Sequence, residues 1–192
     1  PLEDLWKLSG DDPAVVRLAL RLGSKSAYQQ ALALLGDARQ PQAVRVSLIA
    51  AVGEASQADA VAKLLPLLGQ SESEAVQTAA LAALEHFSDD NIATTVLAAL
   101  PALPASVQMR GLSLLTSRKS WSAALLAAVD RGRIKPEAIP LDQLRRILLH
   151  RDDALASAIE HRWGKVRAAT PGEKQAMIVV LARTLSEGTG DA

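Results

Sequence analysis

The sequence predicts an all-α protein, an α-solenoid (superhelix) of about five to six antiparallel helix pairs. Three observations predict it: apolar residues recur at helical spacing, Pro and Gly interrupt them at short intervals, and one segment type returns about every 30 residues.

Apolar residues fall on one face in Val44, Leu48, Ile49, Val52 and again in Val76, Ala80, Leu81, Leu84, which is α-helical spacing and not strand alternation. Pro13, Gly23, Gly36, Pro41, Gly53, Gly69, Pro101, Pro104, Pro136, Pro140, Gly164 and Pro171 punctuate these runs. Such intervals suit helices of about 10 to 15 residues joined by short turns. Four segments align: 13–20 from Pro13, 42–49 from Gln42, 74–81 from Glu74 and 106–112 from Ser106. With Val16, Val44, Val76 and Val107 as equivalents, the spacings are 28, 32 and 31 residues, the interval of a two-helix unit with two turns. Each aligned segment reads as the second helix of a pair. The partner helices are Ala27 to Leu35, Ala58 to Leu68, Asn91 to Leu100 and Trp121 to Val129. Residues 1–129 thus read as regular repeats. Residues 130–192 read as an irregular end of the same domain: the polar, Pro-bounded connection Asp130 to Pro140, a helix at Leu141 to Leu149, a further helix leading to Trp163-Gly164, and a last helix from about Gly172 to Ser186 opened by Thr170-Pro171.

Composition agrees with such a stack. Hydrophobic residues make up 49% of the 192 but aromatics only 3%, so the core is mainly Leu, Ala and Val, which suits closely stacked helices. Twenty-one basic side chains balance 21 acidic ones, without the strongly basic footprint of a nucleic-acid binder. Cys is absent, which excludes disulfides, thiolate nucleophiles and covalently attached haem, and leaves the compartment open. No apolar run reaches membrane-spanning length and no export signal opens the chain. The chain starts at Pro1 and closes on Gly188-Thr189-Gly190-Asp191-Ala192, which reads as a segment of something longer.

The Pro-x-Val-Arg-x-x-Ala-Leu pattern, clearest at Pro13 to Leu20, resembles HEAT repeats. The resemblance implies an Asp in the turn bonded to an Arg of the second helix. Asp12 with Arg17 fits, Arg45 lacks a matching Asp, and Gln77 and Gln108 stand in the Arg position. In the final third, the Gly-Arg-Ile connection, the Leu-Leu-x-His-x-Asp turn at His150, Trp163-Gly164, the Thr-Pro-Gly-Glu-Lys start and the Gly-Asp end are similar to large extracytoplasmic proteins of planctomycete-type bacteria. That resemblance implies a dehydrogenase-like β-propeller before such repeats, a c-type cytochrome domain after them, and an extracytoplasmic or periplasmic location.

No catalytic, cofactor-binding or metal-binding residue is expected. His86, His150 and His161 lack zinc-ligand spacing and read as surface or turn residues, although His150 and His161 could approach each other beside Asp152 or Asp153. Asp11-Asp12, Asp89-Asp90 and Asp152-Asp153 precede apolar helical segments and read as helix caps. Trp6, Trp121 and Trp163 read as packing anchors, Trp6 and Trp163 at the two ends. Charge is uneven: residues 1–109 carry 7 basic and 12 acidic side chains, and residues 110–151 carry 9 and 3. Arg118, Lys119, Arg131, Arg133, Lys135, Arg145 and Arg146 are therefore candidate protein-contact residues, weighed against ordinary solvated cations near helix C-termini.

The expected function is a non-catalytic scaffold or protein-interaction module within a larger, redox-type multidomain protein. It needs no cofactor, and its partners are proteins or neighbouring domains of the same chain, with no nucleic acid and no membrane insertion. The alternative is a HEAT-like enzyme, either a helical-repeat DNA glycosylase or a metal-dependent hydroxylase or lyase.

Overall fold

The computed structural model describes residues 13–166. Trp6, Asp11, Asp12 and the helix expected at 172–186 lie outside them. Among the described residues the chain is all-helical, with no strand. The helices are α1 (Pro13–Arg21), α2 (Lys25–Leu35), α3 (Gln42–Ala55), α4 (Val61–Leu64), α5 (Glu74–Leu84), α6 (Asp90–Ala99), α7 (Ala105–Leu115), α8 (Lys119–Asp130), α9 (Leu141–Leu148) and α10 (Asp153–Trp163). No helix is long and apolar enough to cross a membrane among the described residues.

Two kinds of helix start recur. The odd helices α3, α7 and α9 are entered through Pro41, Pro104 and Pro140, whose carbonyls accept the first helical N–H groups, as from Val44 at 2.9 Å and Gln108 at 2.8 Å. Pro fits there because its fixed φ suits the entry and its missing N–H costs no helical bond. Side-chain caps start α2, α5, α6 and α10: Ser24 accepts from the Ala27 N–H, Ser73 from Val76, Asp89 from Asn91 and Asp152 from Leu155. The Asp89 and Asp152 pairs are thus helix caps.

The helix expected over 58–68 forms only in pieces. A single α turn, α4, lies between the 3-10 turns Ala58–Ala60 and Leu65–Leu68. Pro66 has no N–H to give and its ring crowds the carbonyl four residues back, so the α pattern yields to the tighter turn.

Packing follows chain order. Each helix packs on its chain neighbour or on the helix after it: α1 on α3, α3 on α5, α5 on α7, and, in a parallel series, α6 on α8 and α8 on α10. Val16, Leu48, Ile49, Val52, Ala80 and Leu81 fill one seam, and Trp121, Leu125, Ile92 and Val96 another, all essentially without solvent exposure. The α3–α5 approach depends on Gly53: a Cβ there would stand 2.8 Å from both Cα and Cβ of Ala83, inside any tolerable contact. Small residues set the helix separation, as the low aromatic content requires.

Candidate protein-contact surface

The long-range polar links between helices fall at similar spans. Tyr28 Oη donates to Asp59 at 2.6 Å, 31 residues on. Ser106 donates to Glu74 across 32 residues, Ser120 to Asp90 across 30, and Arg162 to Asp130 across 32. The Arg118 guanidinium reaches the Glu85 carbonyl across 33 residues, and His150 Nε2 lies 3.0 Å from the Thr116 carbonyl, 34 residues back. Each bond therefore joins two elements about 30 residues apart in the chain.

One column of these links lies near the start of the odd helices. Arg17 bonds Ser47 Oγ. Arg45, only 5% exposed, donates Nε to the Leu35 carbonyl at 2.8 Å and both terminal nitrogens to Glu72 at 2.7 Å. Leu35 ends α2, so this guanidinium satisfies a carbonyl that the helix cannot. Gln77 donates to the Gly69 carbonyl at 2.9 Å and Gln108 to that of Leu103 at 2.8 Å. Gln143 is buried and accepts from Thr116 Oγ1 at 2.8 Å. Arg45 thus has a carboxylate partner after all, Glu72 in the turn before α5, and the Gln residues keep the carbonyl bond while giving up the ion pair. The Glu72 partnership was not legible because it joins α3 to a turn 27 residues further along the chain.

The candidate contact residues divide between the two ends of α8. Arg118 stacks its guanidinium 5.0 Å from the ring centroid of Trp121, which is fully buried, and Lys119 pairs with Asp152. These two line a groove of about 600 Å³ with Ser88, Ser120, Ala123, Asp152, Ala154 and Leu155. Arg131, Arg133 and Lys135 lie past the other end, about 18 Å away by the rise of a 12-residue helix, and all three are exposed. Arg145 and Arg146 sit half-buried in the last turn of α9. Arg118 and Lys119 thus bond the start of α8 to the end of α5 and to the residue before α10, and the 131–135 cations face solvent.

The connection after α8 is well held. Gly132 adopts φ +70, which a side chain disfavours, and the Arg133 N–H returns to the Ala128 carbonyl at 3.0 Å, closing the helix in the manner of a glycine C-cap. Ile134 and Ile139 are buried, Trp163 Nε1 donates to the Pro136 carbonyl at 3.2 Å, and Arg162 pairs with Asp130 at 2.8 Å. Trp163 is thus a packing anchor beneath this connection.

His86 and His161 are exposed, and no group of three metal-ligating side chains converges among the described residues. The Lys119 ammonium and the Leu155 N–H hold the Asp152 carboxyl below the usual carboxylate range. Burial and then the Asp59 hydrogen bond push the Tyr28 hydroxyl up. Both shifts belong to links between units. No protein-family model matches the chain, and no curated protein or solved structure matches it significantly.

Proposed function

We propose that the chain is an α-solenoid of the HEAT kind that works as a scaffold, holding flanking domains of a larger protein apart and offering its edges for protein contact. The observation that carries this reading is the similar span of the long-range polar links, 25 to 34 residues from Arg110–Glu85 to His150–Thr116, which suits units that bond only to their neighbours. Contacts of that kind lengthen a rod with each added unit and do not enclose a reaction centre. The resemblance of the C-terminal third extends the proposal to a redox parent in which a cytochrome domain follows.

The polypeptides encoded on either side of this segment, produced separately and titrated with the chain, test the reading. Saturable binding of at least one flank, and a Cys-x-x-Cys-His motif soon after Ala192, are the expected results. Failure of both flanks to bind would overturn the spacer role, and a following stretch without that motif would remove the redox parent.

A further inference from the structure

Beside the connection after α8 lies a second, smaller groove of about 240 Å³, lined among others by Leu100, Pro101, Ile134 and Ala138, with Arg133 and Lys135 at its rim. We propose that this groove is a docking site for an acidic, extended peptide segment that seats one aliphatic side chain between the two cations. The proposal rests on the interaction-module reading and names the partner's chemistry.

Charge decides between this groove and the larger one at the start of α8. There the cations are already engaged, Lys119 by Asp152 and Arg118 by the Glu85 carbonyl and the Trp121 ring. At the smaller groove the side chains of Arg133 and Lys135 are exposed and make no hydrogen bond or ion pair with described residues. Arg131 adds a third exposed cation two residues away. Of the two acidic residues nearest in sequence, Asp130 is taken by Arg162, and Glu137 is exposed on the following turn and does not line the groove. The local field is therefore positive and complements carboxylates.

Size and shape point to a peptide. The volume is below the roughly 300 Å³ at which small-molecule sites begin, and the groove is open, so a side chain of a bound segment can rest in it. Ile134 is buried and lies between the exposed Arg133 and Lys135. The Gly132 turn, Ile134, Ile139 and the Trp163 bond to Pro136 fix that segment in advance, which reduces the ordering entropy lost on binding.

The test is fluorescence polarisation of the full chain with a labelled peptide carrying Glu residues on both sides of one Leu. The expected results are saturable binding that weakens with added salt, a loss of at least about tenfold for R133E combined with K135E, and a further loss when the peptide's Leu is Ser. K63E makes the same kind of charge change at an exposed site far along the chain and leaves affinity unchanged. R133Q with K135Q gives a smaller loss in the same direction and serves if the reversal disturbs folding, which far-UV circular dichroism reports. No binding by the unmodified chain, equal binding by the double variant, or equal binding of a Lys-substituted peptide overturns the proposal. Spin-label distances along the array read the solenoid separately, so a silent groove on an intact array removes only the docking site.

Discussion

Replacing Arg45 probes the polar column where it is most buried. Its side chain is 6% exposed and that of Glu72 16%, with two bonds of 2.7 Å between them and a third to the Leu35 carbonyl. Arg45→Ala removes all three and leaves the half-buried Glu72 carboxylate without its partner. Breaking a buried pair costs about 3 to 5 kcal/mol, and because Glu72 keeps some access to water the lower end applies, about 3 kcal/mol. Arg45→Gln copies what the chain itself carries at Gln77 and Gln108. The amide reaches the Leu35 carbonyl and recovers about 1 kcal/mol for that hydrogen bond, leaving a loss of about 2 kcal/mol. Denaturant unfolding followed at 222 nm measures both, with the slope unchanged if only stability moves. Equal losses for the two variants would refute the view that Arg and Gln do the same work on the preceding carbonyl. Losses under about 0.5 kcal/mol for both would refute the buried pair as a stabilising link.

Gly53→Ala places a methyl 2.8 Å from Ala83 backbone and side chain and lowers stability by about 1 to 3 kcal/mol despite the better helix propensity of Ala. Gly111→Ala meets only the tip of Leu100, at 2.7 Å, and is close to neutral in the same unfolding assay because that side chain can turn aside. Asp152 has its pKa lowered on folding, so its contribution is complete above the ordinary value of 3.8 and is lost as pH falls through the lower folded value. Asp152→Asn accordingly flattens the acid limb of a pH-stability profile below pH 3.8 and leaves the neutral region parallel to that of the parent chain.

The helices were legible because their signals are local. Val44, Leu48, Ile49 and Val52 mark a face without reference to anything distant, and Pro41, Pro104 and Pro140 mark starts for the reason that Pro tolerates them. The recurring Val16, Val44, Val76 and Val107 fall in α1, α3, α5 and α7, which pack one on the next. Pro66 defeated the helix expected over 58–68, since a periodic apolar pattern hides a missing N–H. The candidate surface was legible as a charge imbalance only. Sequence places a helix between Arg118 and Arg133 without saying that the Glu85 carbonyl takes one guanidinium or that Leu100 and Pro101 line the groove beside the other. Those facts depend on contacts about 30 residues away, which no local pattern encodes.

The solenoid is tested most directly by distances along it. The chain has no Cys, so pairs of introduced cysteines can be spin-labelled without background. With one label at Ser26 and the second in turn at Asn91, Ser120 and Ala154, exposed positions near the starts of α2, α6, α8 and α10, stacked units separated by about 8 to 10 Å predict distances of about 20, 30 and 40 Å. A series rising in near-equal steps is the result expected of an open array. Distances that level off or shorten from Ser120 to Ala154 would mean that the helices close into a bundle, and would contradict the scaffold built on that array.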